Sequence, residues 1–244
     1  MQRWGIIGGT GLDEFGDLSR VEAHRVVTPY SDVPVTLEFG ELAGVPVAFL
    51  ARHGKTHSLA PHEINYRANI WALKQHVQFV VAVAAVGGIA ADAGPRSIVI
   101  PDQIIDYTWG RAHTFSAPGN VMHVDFSAPY AAEIRARLLC AAADANIHVT
   151  DGGVYGVTQG PRLESVAEID RMEHDGCSIV GMTGMPEAAL ARELELPYAC
   201  CALVVNEAAG RGPAVITMDA IVEQLHAGMA SVRDLLASMA HQLK

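Results

Sequence analysis

The residues best suited to chemistry lie between Thr158 and Glu187, TQGPRLESVAEIDRMEHDGCSIVGMTGMPE, and continue in VVNEAAG at Val204 to Gly210. A Gly160-Pro161 turn presents Arg162, Leu163 and Glu164, and Asn206 ends the second run. A carboxylate only accepts hydrogen bonds, whereas a carboxamide both donates and accepts. Thr183 and Gly184 form a small polar turn between a strand-like SIVGM and a helix opened by Pro186 and Glu187. Such a strand, turn and helix junction suits an anion or the polar edge of a ligand. An ordinary α/β connection without a ligand fits the same letters, and spacing alone names no substrate.

Two further clusters carry oxyanion chemistry. Gly8, Gly9, Thr10 and Gly11 close the first apolar run, and Arg52, His53 and Gly54 close another. A dinucleotide fingerprint beginning at Gly9 would need glycine where Glu14 stands, and no P-loop lysine follows. A Thr hydroxyl and flexible backbone at a strand end, facing an Arg beside a His, instead suit phosphate oxygens. His53, His57 and His62 match no short zinc spacing, and Pro61 interrupts them, so no metal is expected.

The positioning elements follow from periodicity. Residues 3 to 8, Val35 to Phe39, Val47 to Ala51, Phe79 to Ala85, Ser97 to Ile100 and Gly153 to Thr158 read as strands. Helices are expected over Glu63 to Gln75, over Ala131 to Ala145, after Ser165, and over Met218 to Gln242. Ser165 with Glu168 is a capping box, Thr217 suits an N-cap, and Glu187 suits the dipole of a first helical turn. Glu164, near a helix start, admits that same electrostatic reading. Residues 106 to 130 hold His113, His123 and Asp125 without periodicity; so long a loop is functional or an interface.

Composition bounds the class. With 244 residues, half of them hydrophobic but only 6% aromatic, the chain fits one α/β domain over 1–244, its central sheet covered on both faces by helices. A net charge of −10 with 17 scattered Lys and Arg argues against nucleic acid as partner. Cys140, Cys177, Cys200 and Cys201 form no CxxC and are expected to be reduced thiols. The longest apolar run, Phe79 to Ala91, has 13 residues, short of the ~20 a membrane span needs, and the N-terminus lacks a signal-peptide shape. A cytoplasmic protein is the consistent expectation.

Taken in order, GGTGL, LARHG, NYRANIWALK, AVGGI, TQGPRLES, GMTGMPEAALARE and VVN resemble the nucleoside phosphorylase family that includes methylthioadenosine phosphorylase and the trimeric purine nucleoside phosphorylases. The resemblance spans Ile6 to about Leu236. It implies a mixed central β-sheet flanked by helices, a homotrimer, and cleavage of a purine nucleoside by inorganic phosphate, a co-substrate, with no cofactor. Carried over by motif, Thr10, Arg52, His53, Thr183 and the backbone of Ala85 become the phosphate seat. Met182 packs under sugar and base, beside Leu163.

The resemblance also sorts subtypes. Glu164 after the Gly-Pro turn with Asn206 after the late strand is the 6-oxopurine pattern; adenine-specific members carry Asp near Asn206. Glu164, Asn206 and His53 are thus the expected catalytic residues. Met218, Ile221 and Val222 offer an apolar wall to a 5′-methylthio group, and His123 reaches in from a neighbouring subunit. Ala84 stands where the family often has a hydrogen-bonding residue, and Leu163 replaces a frequent aromatic. The implied substrate is a 6-oxopurine nucleoside with a 5′-methylthio sugar. General inosine and guanosine phosphorolysis, methylthioadenosine phosphorolysis, hydrolysis, and a non-catalytic purine-binding trimer are the competing readings.

Overall fold

A computed structural model describes residues 3–12, 15–54, 58–212 and 215–244. His57 lies outside them. In chain order the elements are β1 (Trp4–Gly8), β2 (Ser19–Thr28), β3 (Ser31–Leu42), β4 (Val45–Ala51), α1 (Tyr66–Lys74), β5 (Val80–Gly88), β6 (Ile98–Ile100) and β7 (Gln103–Asp106). Then follow α2 (Ala132–Asp144), β8 (Val149–Asp151), β9 (Val154–Val157), α3 (Val166–His174), β10 (Cys177–Gly181), α4 (Gly184–Glu193), β11 (Tyr198–Glu207) and α5 (Met218–Gln242).

All eleven strands among the described residues join one mixed sheet, and β5 is its hub. Along one edge β5 runs beside β11 for its whole length. Along the other edge it meets two strands in turn. β1 pairs in parallel with Val80, Val81 and Ala82, and β10 pairs antiparallel with Gly87 and Gly88. Val83 to Val86 therefore lie between two diverging neighbours. A gap in the ladder leaves backbone groups facing the space between β1 and β10.

Helices cover both faces, as an Ala, Val, Ile and Leu core requires. Ile134 and Leu138 of α2 pack with Met229, Val232 and Leu236 of α5 on one face. Ile70 and Leu73 of α1 pack with Ala188 and Leu190 of α4 on the other. The α5 stripe is buried as its period predicts, and Thr217 caps the helix by accepting from the Ala220 amide. The Ser165 and Glu168 capping box is complete at α3.

The structure also departs from the periodicity reading. Strand β2 was not anticipated, because most of its residues are exposed and it gains order by antiparallel pairing with β3. Strands β7 and β8 have only four and three residues, too few for an alternating signal. Helix α1 begins after an Asn65 cap, three residues later than expected, because the Asn65 side chain accepts from the Ala68 amide. No helix among the described residues is long and apolar enough to cross a membrane.

Two predictions follow from this packing. Leu236→Ala, at a fully buried position, should cost about 2–5 kcal/mol in urea unfolding, the range for a core truncation. Cys140 is exposed while Cys177, Cys200 and Cys201 are buried, and burial pushes the Cys201 thiol up to about 12. A thiol reagent should therefore label Cys140 alone in the native protein and all four cysteines after unfolding, counted by mass.

Candidate active site

The gap beside β5 opens into a cavity of about 500 Å³. Its walls come from the ends of β1, β4, β10 and β11, from the turn before α3, and from the start of α5. Gly9, Thr10, Arg52, His53, Ala85 and Thr183 are among its lining residues, and the Gly9 end packs against Val83 and Arg52. Gly9 cannot carry a side chain, because a Cβ would lie 2.7 Å from the Val83 carbonyl and 3.0 Å from Arg52 Nη1.

Arg52 and Glu187 form a buried ion pair beneath this end. Arg52 Nε donates to Glu187 Oε1 at 2.8 Å and Nη2 to Oε2 at 2.9 Å. Nη1 donates to the Val83 carbonyl at 3.1 Å, and Tyr198 donates to Glu187 Oε2 at 2.7 Å. The two charged residues are 2% and 0% exposed. Burial alone would lower the guanidinium pKa, yet the Glu187 charge and hydrogen bonds outweigh it and raise the pKa above its ordinary value. Three of the five guanidinium N–H groups are spent on these partners, leaving two on a side chain that lines the cavity. Glu187 thus does far more than suit a helix dipole.

Val83 and Ala85, two residues apart, turn their backbones to the same edge of β5. The Val83 carbonyl is taken by Arg52, and Ala85 follows it in the gap. Ala84 belongs instead to the core cluster that includes α1 and α4, and it is not part of the cavity wall. His53 holds its loop through Nδ1, 2.8 Å from the Leu59 carbonyl. A carbonyl can only accept, so Nδ1 carries the proton. Thr183 precedes α4 without using its hydroxyl as a cap, and it is buried at the cavity wall.

Glu164 and Asn206 also line the cavity, with Leu163, Met182 and Val205. A bulge at Val205, where the pairing steps from Val204 and Val86 to Asn206 and Gly87, turns the end of β11 toward the cavity. Asn206 Nδ2 donates to the Glu207 carbonyl at 2.7 Å, which fixes the amide orientation, since Oδ1 has no proton to offer there. Glu164 accepts from the Thr158 hydroxyl at 2.6 Å.

The third part is apolar. Ile216, Met218 and Ile221 line it, and Met218 is 64% exposed at the mouth. Val222 is 39% exposed and outside the wall, since one residue along a helix turns the side chain by about 100° from Ile221. His123 sits exposed in the loop before α2, also outside this chain's cavity wall.

Two contributors were missed by sequence reading. Ser58 to Pro61 and Glu63 form a wall, and the Glu63 carboxylate accepts from the Ala60 amide. Arg111 donates to the carbonyls of Thr158, Gln159, Met182 and Met185, tying the turn before α3 to the start of α4. Burial holds its guanidinium below the ordinary value. Pro61, four residues before the capping Asn65, was a signal for the wall; Arg111 left none.

The model of the Phosphorylase superfamily matches residues 3–240. The chain belongs to this superfamily. Within the phosphorylase superfamily, a probable S-methyl-5′-thioinosine phosphorylase of Pseudomonas syringae pv. tomato is 53% identical over 240 residues, 97% of this chain and 98% of that protein. The 6-oxopurine nucleoside phosphorylase of Pyrococcus furiosus is 45% identical, over 91% of this chain and 86% of its own. The solved phosphorylase from Schistosoma mansoni, a methylthioadenosine phosphorylase in complex with adenine, superposes with a TM-score of 0.93 at 31% identity, covering 100% of this chain and 92% of that one.

Removing one half of the buried pair should be costly. Glu187→Ala leaves Arg52 buried without a counter-charge and should cost about 3–5 kcal/mol in urea unfolding. Arg52→Met with Glu187→Leu should recover most of that stability while activity stays lost, separating folding from function.

Proposed function

We propose that the protein catalyses phosphorolysis of S-methyl-5′-thioinosine to hypoxanthine and 5-methylthioribose 1-phosphate, in purine and methylthio-nucleoside salvage. The observation that carries the reading is one cavity lined by Thr10, Arg52, His53 and Thr183, by the Glu164 carboxylate and the Asn206 amide, and by Ile216, Met218 and Ile221. The named relatives support it.

In this reading phosphate sits on Thr10, Arg52, His53, Thr183 and the Ala85 backbone. One phosphate oxygen attacks C1′ while the bond from C1′ to N9 breaks and its electrons pass to the purine. The sugar is cationic in the transition state, and the seated phosphate stabilises it. Binding both partners in line supplies most of the remaining acceleration, so no covalent enzyme intermediate is required. Inorganic phosphate is a co-substrate, and no cofactor is assigned.

The base is chosen by complementary hydrogen bonds. Glu164 accepts from the N1–H of a 6-oxopurine, whereas adenine presents a lone pair at N1. The second Asn206 N–H donates to O6, and Oδ1 accepts a hydrogen bond from N7–H as N7 takes a proton from solvent and the base leaves neutral. A mismatched buried polar pair costs ~1–3 kcal/mol. Met182 packs under sugar and base beside Leu163. Met218 and Ile221 receive the methylthio group, and Val222 takes no part in the wall. We assign a homotrimer in which His123 completes a neighbouring site, and a cytoplasmic location without nucleic-acid or membrane partners.

The Pyrococcus relative favours a second reading, general 6-oxopurine nucleoside phosphorolysis. Release of free base from methylthioinosine, inosine and methylthioadenosine, each with and without phosphate, separates these readings. Phosphate-dependent hypoxanthine release, with kcat/KM higher for methylthioinosine than for inosine, is expected. Glu164→Gln should lower kcat/KM for methylthioinosine by roughly 10–100-fold, with the unfolding midpoint nearly unchanged. Faster adenine release would overturn the assignment of Glu164 and Asn206.

A further inference from the structure

Glu164 stands between two spaces. One is the substrate cavity; the other is an outer groove of about 500 Å³ lined by Thr158, Gln159, Arg162 and Trp109. Arg162 lies close enough for its charge to interact with the Glu164 carboxylate. Arg162 is itself paired with Glu168 through hydrogen bonds of 2.8 and 2.7 Å, so it does not fix the Glu164 carboxylate, and a half-buried glutamate on a turn keeps its rotamer freedom. Something must hold it toward the cavity.

Thr158 is placed to do so. It follows β9, and its amide donates to the Gly181 carbonyl at 2.8 Å, anchoring it to the strand that leads to Met182. Its carbonyl accepts from Arg111, so its backbone is fixed from both sides. The hydroxyl has one proton, with Glu164 Oε1 at 2.6 Å and the Gly181 carbonyl at 3.4 Å. The shorter contact, to an ionic acceptor, takes the proton. Thr158 is outside the wall of the substrate cavity and so acts only through Glu164.

We infer that Thr158 is a specificity-positioning residue: its hydroxyl engages one carboxylate oxygen of Glu164, so that the other faces the purine edge rather than the Arg162 groove. The inference rests on Glu164 reading the base, as set out above. It extends the base-recognition set to a residue that never touches substrate.

The test compares Thr158→Val, Thr158→Ala and Thr158→Ser with Glu164→Gln, alone and combined with Thr158→Val. The readouts are kcat/KM for methylthioinosine and methylthioadenosine and the KM for phosphate. Losing a hydrogen bond to a charged group should reduce the preference for the 6-oxo base roughly tenfold in Thr158→Val and Thr158→Ala. The phosphate KM should hold, and Thr158→Ser should restore the preference to within about twofold. In the Glu164→Gln background, Thr158→Val should change the preference less than about twofold, as expected for coupled residues. Equal losses for both nucleosides with a raised phosphate KM would reduce Thr158 to a structural role. An unchanged preference in Thr158→Val beside a collapsed one in Glu164→Gln would overturn the inference and leave the base-recognition reading standing. An unchanged preference in Glu164→Gln would overturn both.

Discussion

The site depends on a buried charge pair that spans 135 residues of chain. Arg52 comes from the end of β4 and Glu187 from the first turn of α4, and neither is stable at that depth alone. Two charges taken out of water cost several kcal/mol each unless their geometry and remaining hydrogen bonds are nearly complete. Here they are: a two-pronged contact, a phenol from Tyr198 and a carbonyl from Val83. The pair is neutral as a unit, so Arg52 stands at the cavity wall as a set of fixed donors rather than as excess charge.

The Val83 carbonyl is available to Arg52 because the sheet opens there. Had β1 continued along β5 past Ala82, that carbonyl would have been used in the ladder. Because β10 approaches from the other end and pairs only at Gly87 and Gly88, a short stretch of β5 faces a cavity instead. The same divergence brings the ends of β1, β4 and β10 around one space. The bulge at Val205 adds Asn206 from the other side.

The cavity combines three kinds of lining. Arg52, His53 and Thr183 are polar, Glu164 and Asn206 add a carboxylate and an amide, and Ile216, Met218 and Ile221 are apolar, with Met218 exposed to solvent. Glu164 is held by Thr158 and Asn206 by the Glu207 carbonyl. Orientation of this kind separates a donor and acceptor pattern from a polar surface. Arg111 ties together the two segments that carry these walls, and its partners are carbonyls and the Tyr66 hydroxyl rather than carboxylates.

By itself the sequence determined the periodic local elements, though not β2, β7 or β8, and the identity of the chemical groups. The α5 stripe, the α3 capping box, the glycine turn after β1 and the Arg52 and His53 strand end depend on neighbours within a few residues, which spacing records. Its separated motifs, taken in order, also carried the resemblance that pointed to Glu164, Asn206 and the phosphate seat. Only the tertiary structure decided how Arg52 is oriented, why Ala85 rather than Ala84 faces the site, and that Glu187 is buried. It also decided that Arg111 joins two walls and that Val222 turns away. Those outcomes depend on where strands diverge, on a one-residue bulge and on partners far apart in the chain. Residue types cannot encode them separately, because each is set by the register of the whole sheet.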